Sequence, residues 1–437
     1  MTAEIAVMNR LAVALAADSA VTIKTETGQK IYNTVNKLFS LSKYRPVGVM
    51  IYGSASFMDV PWETIIKVYR ARLGRKSFTT LAGYADEFIG FLNRRNPMIP
   101  LSIQEQFYRQ RVEAYYRAIR NDLENKVRDA TAGGKAVANK NAREFASSVI
   151  HEHYGRWRKA TRVASANADQ ERRLRRKYRA LIIEARKQVF GTVPMGKKEV
   201  KELMDIAVML CTRDLFSSDL SGVVIAGFGE RDTFPGLVEY RVQDAVANRL
   251  KFAERQKTGT SFECGATITP FAQSEMVCTF MEGMDPFYGQ MLSSYLPQLL
   301  EKVANCIVAS FSSVSEKEKQ MGMRQLGKAI PEAVRNFHEE LSKHRNTRFV
   351  SPVLQAVAAL PKDELAAMAE SLVNLTSFKR RITTTPETVG GPIDVAVISK
   401  GDGFVWIRRK HYFQPELNPQ FFATYNERQT KEATNGA

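Results

Sequence analysis

The sequence is poor in the residues that build disulfide frameworks and metal sites, with only four cysteines and five histidines among 437 residues. The cysteines are Cys211, Cys264, Cys278 and Cys306. None has metal-ligand spacing and each lies in an apolar or strand-like stretch, so we expect buried, reduced thiols. His151 and His153 lie in a basic helical stretch, and no histidine has the sequence context of a catalytic dyad. We therefore expect neither a metal nor another cofactor.

Long apolar runs and glycine-rich phosphate-binding loops are also missing. No apolar run approaches the roughly 18–20 residues that span a bilayer, so we expect no membrane contact. The short apolar run from Leu11 to Ala17 could belong to an export signal, but its upstream flank holds Glu4 and a single basic residue, Arg10. An export signal has a positively charged segment before its apolar run, and a run as short as this one is at the short limit. We therefore expect a cytoplasmic protein.

Positive charge is abundant but confined to about one third of the chain. The formal net charge is +17, and residues 70–199 hold 29 Lys and Arg against 13 Asp and Glu, an excess of 16. Segments such as ERRLRRKYR can neutralise the phosphates of nucleic acid. They can equally meet an acidic protein or a neighbouring subunit, or form a solvated helix face. The sequence leaves these three interpretations open.

The first residues predict a hairpin of two strands. Apolar side chains alternate with small or polar ones at Ile5, Val7, Leu11, Val13 and Leu15. Asn9-Arg10 is the predicted tight turn, which pairs Met8 with Leu11. That register places Thr2 opposite Ala17, at the open end of the hairpin.

Thr2 follows the initiator methionine directly. A small second residue permits removal of Met1, which would leave Thr2 with a free α-amine beside its own hydroxyl. An N-terminal threonine of this kind supplies a nucleophile and a base from one residue. The chain start is therefore a candidate catalytic centre.

The stretch from Thr2 to Lys37 resembles the start of active proteasome β-type subunits and of their bacterial heat-shock relatives. Those proteins have an N-terminal threonine, a strand pair ending in A-A-D-S, a lysine at a strand start, and a strand leading to a glycine turn and a helix. The corresponding stretches here are LAADS with Asp18, VNKLFSLS with Lys37, VGVMIYGSAS with Gly53, and VPWETIIKVYRARL. Two later stretches, SGVVIAGFGERDTFPGLVEYRV and VGGPIDVAVISKGDGFVWIRRK, resemble later strand pairs of the family.

The resemblance implies an α+β fold, a four-layer αββα sandwich of the N-terminal-nucleophile hydrolase class with an inserted helical subdomain. Helical spacing of apolar residues predicts a second helix over 77–95 and long basic helices over 102–188. The family has no counterpart to the basic helices. The expected organisation is a core at 1–95, a basic helical insertion at 96–205, more core at 206–312, a second helical insertion at 313–358, the end of the core at 359–412, and a C-terminal tail at 413–437.

The resemblance also implies roles for four residues. Thr2 would be the nucleophile, and its own α-amine, with a reference pKa of about 7.7–8.0, would accept the hydroxyl proton. Lys37 would ease ionisation of that hydroxyl, Asp18 would hold Lys37 by a charge-assisted hydrogen bond, and the Gly53 N–H would donate to the oxyanion. The implied function is that of a threonine peptidase or amidohydrolase, a homo-oligomer that cleaves a protein or peptide substrate with an ATP-dependent unfoldase as partner.

The sequence departs from the family where other groups orient the threonine amine. Met284 falls nearest the usual serine of a G-S-G turn. The family has an aspartate and a serine just before a late Gly-Gly turn, which corresponds here to Gly390-Gly391. Pro386 and Val389 fall near those two places, where Glu387 or Thr388 would have to substitute. These departures keep two alternatives open: a catalytically inactive scaffold on the same fold, and a nucleic-acid-binding protein that acts through the basic insertion.

Overall fold

The computed structural model describes residues 3–25, 28–131, 139–310, 315–383, 389–424 and 427. The chain is mixed α and β, and its strand pairs are antiparallel, in keeping with an α+β class. It divides into two compact units. Unit 1 comprises residues 1–38, 260–397 and 405–437, and unit 2 comprises residues 39–259 and 398–404. The sandwich arrangement and the boundaries of the insertions stay predictions.

The strands and helices are defined here in chain order. The strands are β1 (Ala3–Asn9), β2 (Ala12–Ala17), β3 (Val21–Thr25), β4 (Gly28–Tyr32), β5 (Leu38–Ser40), β6 (Val47–Gly53), β7 (Ser56–Phe57), β8 (Val60–Pro61), β9 (Ser221–Gly227), β10 (Gly236–Val246), β11 (Arg249–Gly259), β12 (Ala266–Ala272), β13 (Asp394–Ser399) and β14 (Gly403–Arg408). The helices are α1 (Trp62–Leu73), α2 (Leu81–Leu92), α3 (Leu101–Thr131), α4 (Asn139–Lys159), α5 (Ala168–Lys177), α6 (Arg179–Phe190), α7 (Lys197–Thr212), α8 (Glu275–Glu282), α9 (Pro286–Ser310), α10 (Glu316–Arg345), α11 (Ser351–Ala359) and α12 (Lys362–Ile382).

Unit 1 is built on a sheet with the strand order β12-β1-β2-β13-β14. The apolar residues of β1 alternate with the pleat, so that one face carries a row of buried side chains toward α12. The facing positions of β2 are alanines, whose small side chains let the helix approach the sheet. This packing fixes the first strand of the chain at the centre of a buried layer.

The predicted hairpin is present, but its turn and register are wrong. Glu4 lies opposite Ala17 and Met8 opposite Val13, so each partner is shifted by two residues and the turn lies one residue further along, at Arg10-Leu11. The cause is the side chain of Asn9, whose Oδ1 accepts the N–H of Leu11 at 2.9 Å and so closes an Asx turn. The shift leaves the faces of both strands unchanged, because opposite residues move in steps of two.

Unit 2 is built on a sheet with the strand order β11-β10-β9-β6-β5. Helices α1 and α2 supply much of the hydrophobic core that covers it. The predicted second helix is confirmed as α2, shorter than 77–95, with its predicted apolar residues all buried: Leu81, Tyr84, Phe88 and Leu92. The Thr80 side chain caps it by accepting the N–H of Gly83 at 3.3 Å.

The long basic helices are also confirmed in unit 2, as α3 to α6, and α7 extends the helical stretch. These helices share a hydrophobic core of their own that includes Tyr108, Tyr116, Trp157 and Ile206. Most of their charged side chains lie on the opposite faces, the usual pattern of an amphipathic helix, whereas Glu113, Glu199 and Glu202 are buried. The separation predicted within 131–136 falls mostly outside the described residues, as does the polar end of the chain at 428–437.

In the described part of the chain, no helix is at once long enough and apolar enough to cross a membrane. The prediction of buried thiols is wrong for Cys264 and Cys306, which are exposed. Cys264 lies in the loop before β12, and Cys306 lies on the outer side of α9. Burial raises the pKa of the Cys211 thiol to about 12, so this cysteine is inert at neutral pH.

Candidate functional site

Asp18 and Lys37 form a buried ion pair in unit 1. Lys37 Nζ lies 2.5 Å from Asp18 Oδ1, and the two side chains are 5% and 0% exposed. Asp18 directly follows β2, and Lys37 directly precedes β5, so the ends of two strands bring the pair together. The structure therefore joins two of the four residues that the sequence singled out.

Asp18 also accepts three backbone hydrogen bonds. Its Oδ1 accepts the N–H of Ala3 at 3.1 Å, and its Oδ2 accepts those of Ala20 at 3.2 Å and Gly390 at 3.1 Å. With the ammonium group of Lys37, each carboxylate oxygen thus has two donors. The carboxylate is fixed in one orientation, and it ties together three separate segments of the chain.

The late Gly-Gly turn is docked onto the residue after Asp18. Ser19 donates its N–H to the carbonyl of Gly390 at 3.1 Å and its hydroxyl to the carbonyl of Pro392. Gly391 has a φ of +76°, in the left-handed region that favours glycine, and a Cβ there would lie 2.7 Å from the Cβ of Asn33. The turn therefore depends on glycine for its backbone path.

Glu4 is a further ionisable residue of this region, and we had not predicted it as a site residue. Its side chain is buried, at 1% exposed, and neither carboxyl oxygen has a hydrogen-bond partner among the described residues. Burial holds the pKa of Glu4 well above its ordinary value, with the Lys37 cation opposing this shift and the Asp18 anion adding to it. Glu4 therefore retains its proton well above the pH at which an exposed glutamate loses it.

Unit 1 has a second buried ion pair, between Asp394 and Lys410, whose charges interact with those of the Asp18–Lys37 pair. Lys410 donates both its ammonium group and, at 2.8 Å, its backbone N–H to the Asp394 carboxylate. Burial lowers the pKa of Lys410, the Asp394 anion opposes this, and the Lys37 cation lowers it further. With Glu4 neutral, the two pairs together carry no net charge.

The remaining predicted site residues are either outside the described residues or part of unit 2. Thr2 is outside the described residues, as are Pro386, Glu387 and Thr388. Gly53 ends β6 in unit 2 with a φ of +82°, and a Cβ there would lie 2.3 Å from the carbonyl oxygen of Leu220. The positive φ and the close approach of the Leu220 carbonyl are therefore sufficient to explain a glycine at this position.

Met284 and Val389 do not supply the polar groups that the family has at these places. Met284 is half-buried between α8 and α9. Val389 is fully buried in the apolar core of unit 1. Neither side chain can donate or accept a hydrogen bond of the kind a serine makes.

The two neighbouring histidines are bound within the basic helices. His151 Nδ1 lies 2.9 Å from Glu202, while His153 contacts Tyr115 through Nδ1 and Asp122 through Nε2. Over the described ranges, no group of three or more His, Cys, Asp or Glu side chains is arranged to hold a metal ion.

Comparison with known protein families yields no match for this chain. Comparison with curated proteins yields none either.

Proposed function

We propose that the chain is a proteasome-like threonine hydrolase that cleaves amide bonds, and in particular peptide bonds, with Thr2 as its nucleophile after removal of Met1. The observation that carries this proposal is the buried Asp18–Lys37 pair, whose carboxylate also holds Ala3. Thr2 is peptide-bonded to Ala3, and consecutive Cα atoms are about 3.8 Å apart. Thr2 is thus the sequence neighbour of Ala3, which is bonded to the same Asp18 carboxylate that holds Lys37.

Each group has a defined task in this mechanism. The α-amine of Thr2 accepts the proton of the Thr2 hydroxyl, directly or through a water molecule. Lys37 stabilises the alkoxide by its positive charge, and Asp18 holds the ammonium group in place. Burial raises the pKa of Glu4 well above its ordinary value, which weakens any competition of this carboxylate with the alkoxide for the Lys37 charge.

The oxyanion of the tetrahedral intermediate needs a donor, and we propose the Gly53 N–H for it. Loss of one such donor costs about 10²–10³ in rate in well-studied hydrolases. A glycine suits the role because its backbone can approach a substrate closely.

An inactive scaffold is the second candidate function, and the observation that favours it is the burial of Val389. In that case the Asp18–Lys37 pair would serve only to hold the chain start, the residues after β2 and the Gly-Gly turn together. A buried, fully hydrogen-bonded ion pair can have such a structural role.

Labelling with a peptide epoxyketone, which reacts with an N-terminal threonine through both its hydroxyl and its amine, separates the two candidates. We expect intact mass spectrometry to find a chain without Met1, and a covalent adduct on Thr2 that is lost in Thr2→Ala. Retention of Met1 in protein that hydrolyses peptides, or failure of several epoxyketones and vinyl sulfones to label the chain, would reject the threonine mechanism.

Two variants test the charged pair with a matched control. Lys37→Ala and Asp18→Asn should both abolish labelling of Thr2. Asp394→Asn breaks the other buried pair of unit 1 but leaves the Asp18–Lys37 hydrogen bond in place, so it should retain labelling even though it lowers stability. Equal labelling in all three folded variants would assign the Asp18–Lys37 pair a structural role only.

We also propose a homo-oligomer that works in the cytoplasm with an ATP-dependent unfoldase, as the resemblance implies. Six exposed apolar side chains follow α9 at intervals of four residues and form a stripe that winds by about 200° around the helix, namely Phe287, Met291, Tyr295, Leu299, Val303 and Ile307. A two-fold contact places the same patch of two copies face to face, so an apolar stripe is self-complementary. We therefore propose a second copy of the chain as the occupant of this stripe.

A further inference from the structure

Unit 2 contains a basic pocket of about 850 Å³ that lies apart from the residues of the proposed hydrolase mechanism. Its walls are the exposed side of α5, the first residues of β11 and the end of α2. Arg173 and Arg176 project from α5, Arg249 begins β11, and Lys177 completes the basic side. The volume is in the range of about 300–1,000 Å³ that small-molecule sites occupy.

The arginines of α5 fall into two classes. Arg172 pairs with Asp169 at 2.6 Å, and Arg175 pairs with Asp205. The guanidinium groups of Arg173 and Arg176 form neither a hydrogen bond nor an ion pair with any residue that the structure describes, although the Arg173 cation contributes with Arg172 to lowering the pKa of Asp169. Their spacing of three residues puts both on one face of the helix. The paired arginines are already neutralised locally, whereas the two unpaired ones face the pocket.

Arg249 adds a third unpaired guanidinium group from the opposite wall. It too forms no hydrogen bond or ion pair with the described residues. The next residue, Leu250, is held firmly, since its N–H donates to Asn93 Oδ1 at 2.8 Å and its carbonyl accepts the Ser165 hydroxyl at 2.7 Å. Arg249 therefore projects from a fixed backbone, so less conformational entropy is lost when a ligand binds.

The chemistry of the pocket selects an anion. Three guanidinium groups on facing walls repel one another, and an anion with several oxygens between them would remove that repulsion. The one acidic residue of the lining, Asp169, is held by Arg172, and Lys177 contacts Glu105 at 3.4 Å. Guanidinium groups match phosphate in geometry, because each can donate two parallel hydrogen bonds. Half-buried Phe252 adds an aromatic surface to the same lining.

We propose that this pocket binds a phosphate-bearing small anion of nucleotide size, with Arg173, Arg176 and Arg249 donating to its phosphate oxygens. The unpaired charge is gathered in one concavity, whereas neighbouring arginines of the same helix are already paired. This distribution fits a compact polyphosphate better than the extended backbone of nucleic acid.

Isothermal titration with two probes, ATP and inorganic tripolyphosphate, tests the proposal on the full-length chain. We expect saturable binding of both, and tighter binding of ATP if Phe252 contacts its ring. The double variant Arg173→Gln/Arg176→Gln should weaken the affinity about tenfold or more, since it removes charge-assisted hydrogen bonds. The control is Arg175→Gln/Arg179→Gln, which removes the same charge from positions outside the pocket lining and should change the affinity less than about threefold.

Three results would overturn the proposal: no saturable binding of either probe at millimolar concentration, equal weakening in both double variants, or binding of a twelve-nucleotide thymidine strand that ATP does not displace. The last result would indicate a nucleic-acid surface, and its affinity should then fall steeply with salt. Circular dichroism melting checks that each variant folds. If the first double variant does not fold, the single variant Arg249→Gln decides, with the same expected loss of affinity.

Discussion

Replacement of Glu4 by glutamine should change how the stability of the protein depends on pH. In the folded chain, burial holds the pKa of Glu4 well above the ordinary value of 4.5, whereas in the unfolded chain the side chain is exposed to water. Between these two values the folded state binds one proton that the unfolded state has released. The contribution of Glu4 to stability is therefore intact below about pH 4.5 and is lost progressively as the pH rises.

The size of the effect follows from proton linkage. One additional proton in the folded state lowers the free energy of unfolding by about 1.4 kcal/mol for each pH unit. Glutamine has nearly the same shape and does not titrate. The free energy of unfolding of Glu4→Gln, relative to the natural sequence, should therefore rise by about 1.4 kcal/mol per pH unit above pH 4.5, until the folded-state pKa of Glu4 is reached.

Urea unfolding at pH 5, 6 and 7, followed by circular dichroism, measures this difference. The control is Glu332→Gln, which removes an exposed carboxylate from α10. We expect no comparable dependence on pH in the control. A difference between Glu4→Gln and the natural sequence that stays constant from pH 5 to pH 7 would refute a protonated Glu4, and would mean that its carboxylate is ionised beside Lys37.

Three further predictions concern other parts of the chain. Burial lowers the pKa of Lys251 to about 8, so the stability of the natural sequence relative to Lys251→Met should rise by about 1.4 kcal/mol per pH unit between pH 8 and 10.5, and a flat difference in urea unfolding would contradict this. Tyr295→Lys/Leu299→Lys should reduce the mass measured by light scattering to that of one chain, and an unchanged oligomer would place the contact elsewhere. Gly391→Ala should lower stability by about 1–3 kcal/mol because of its positive φ, whereas Gly401→Ala, which meets open space, should change thermal melting little.

The sequence was sufficient to predict the parts of the site that depend on local pattern. Alternation in the first strands predicted the hairpin, and the strand ends at Asp18 and Lys37 are where the pair forms. Alternation could not predict the register of the hairpin, because the register depends on the Asn9 side chain. Asn9 closes the turn and also donates to the carbonyls of Val357 and Leu360, more than 340 residues away.

Groups that act through long-range burial could not be predicted in the same way. Glu4 was visible as a lone charged residue in an apolar strand, but only the packed structure shows that it has no partner among the described residues. Likewise, the run ERRLRRKYR gives no sign that Arg173 and Arg176 differ from their neighbours. The distinction depends on Asp205, which lies on another helix and pairs with Arg175.

The hydrogen bond from Gly390 to Asp18 has a consequence for the timing of biosynthesis. One of the donors to Asp18, the N–H of Gly390, is synthesised 372 residues later than Asp18 itself. At about 5–20 residues per second, that interval is roughly 20–80 s. During this time the nascent chain contains Asp18 and Lys37 but lacks the Gly390 segment that donates the remaining hydrogen bond to Asp18. A site that depends on this hydrogen bond therefore cannot be complete before Gly390 has been synthesised.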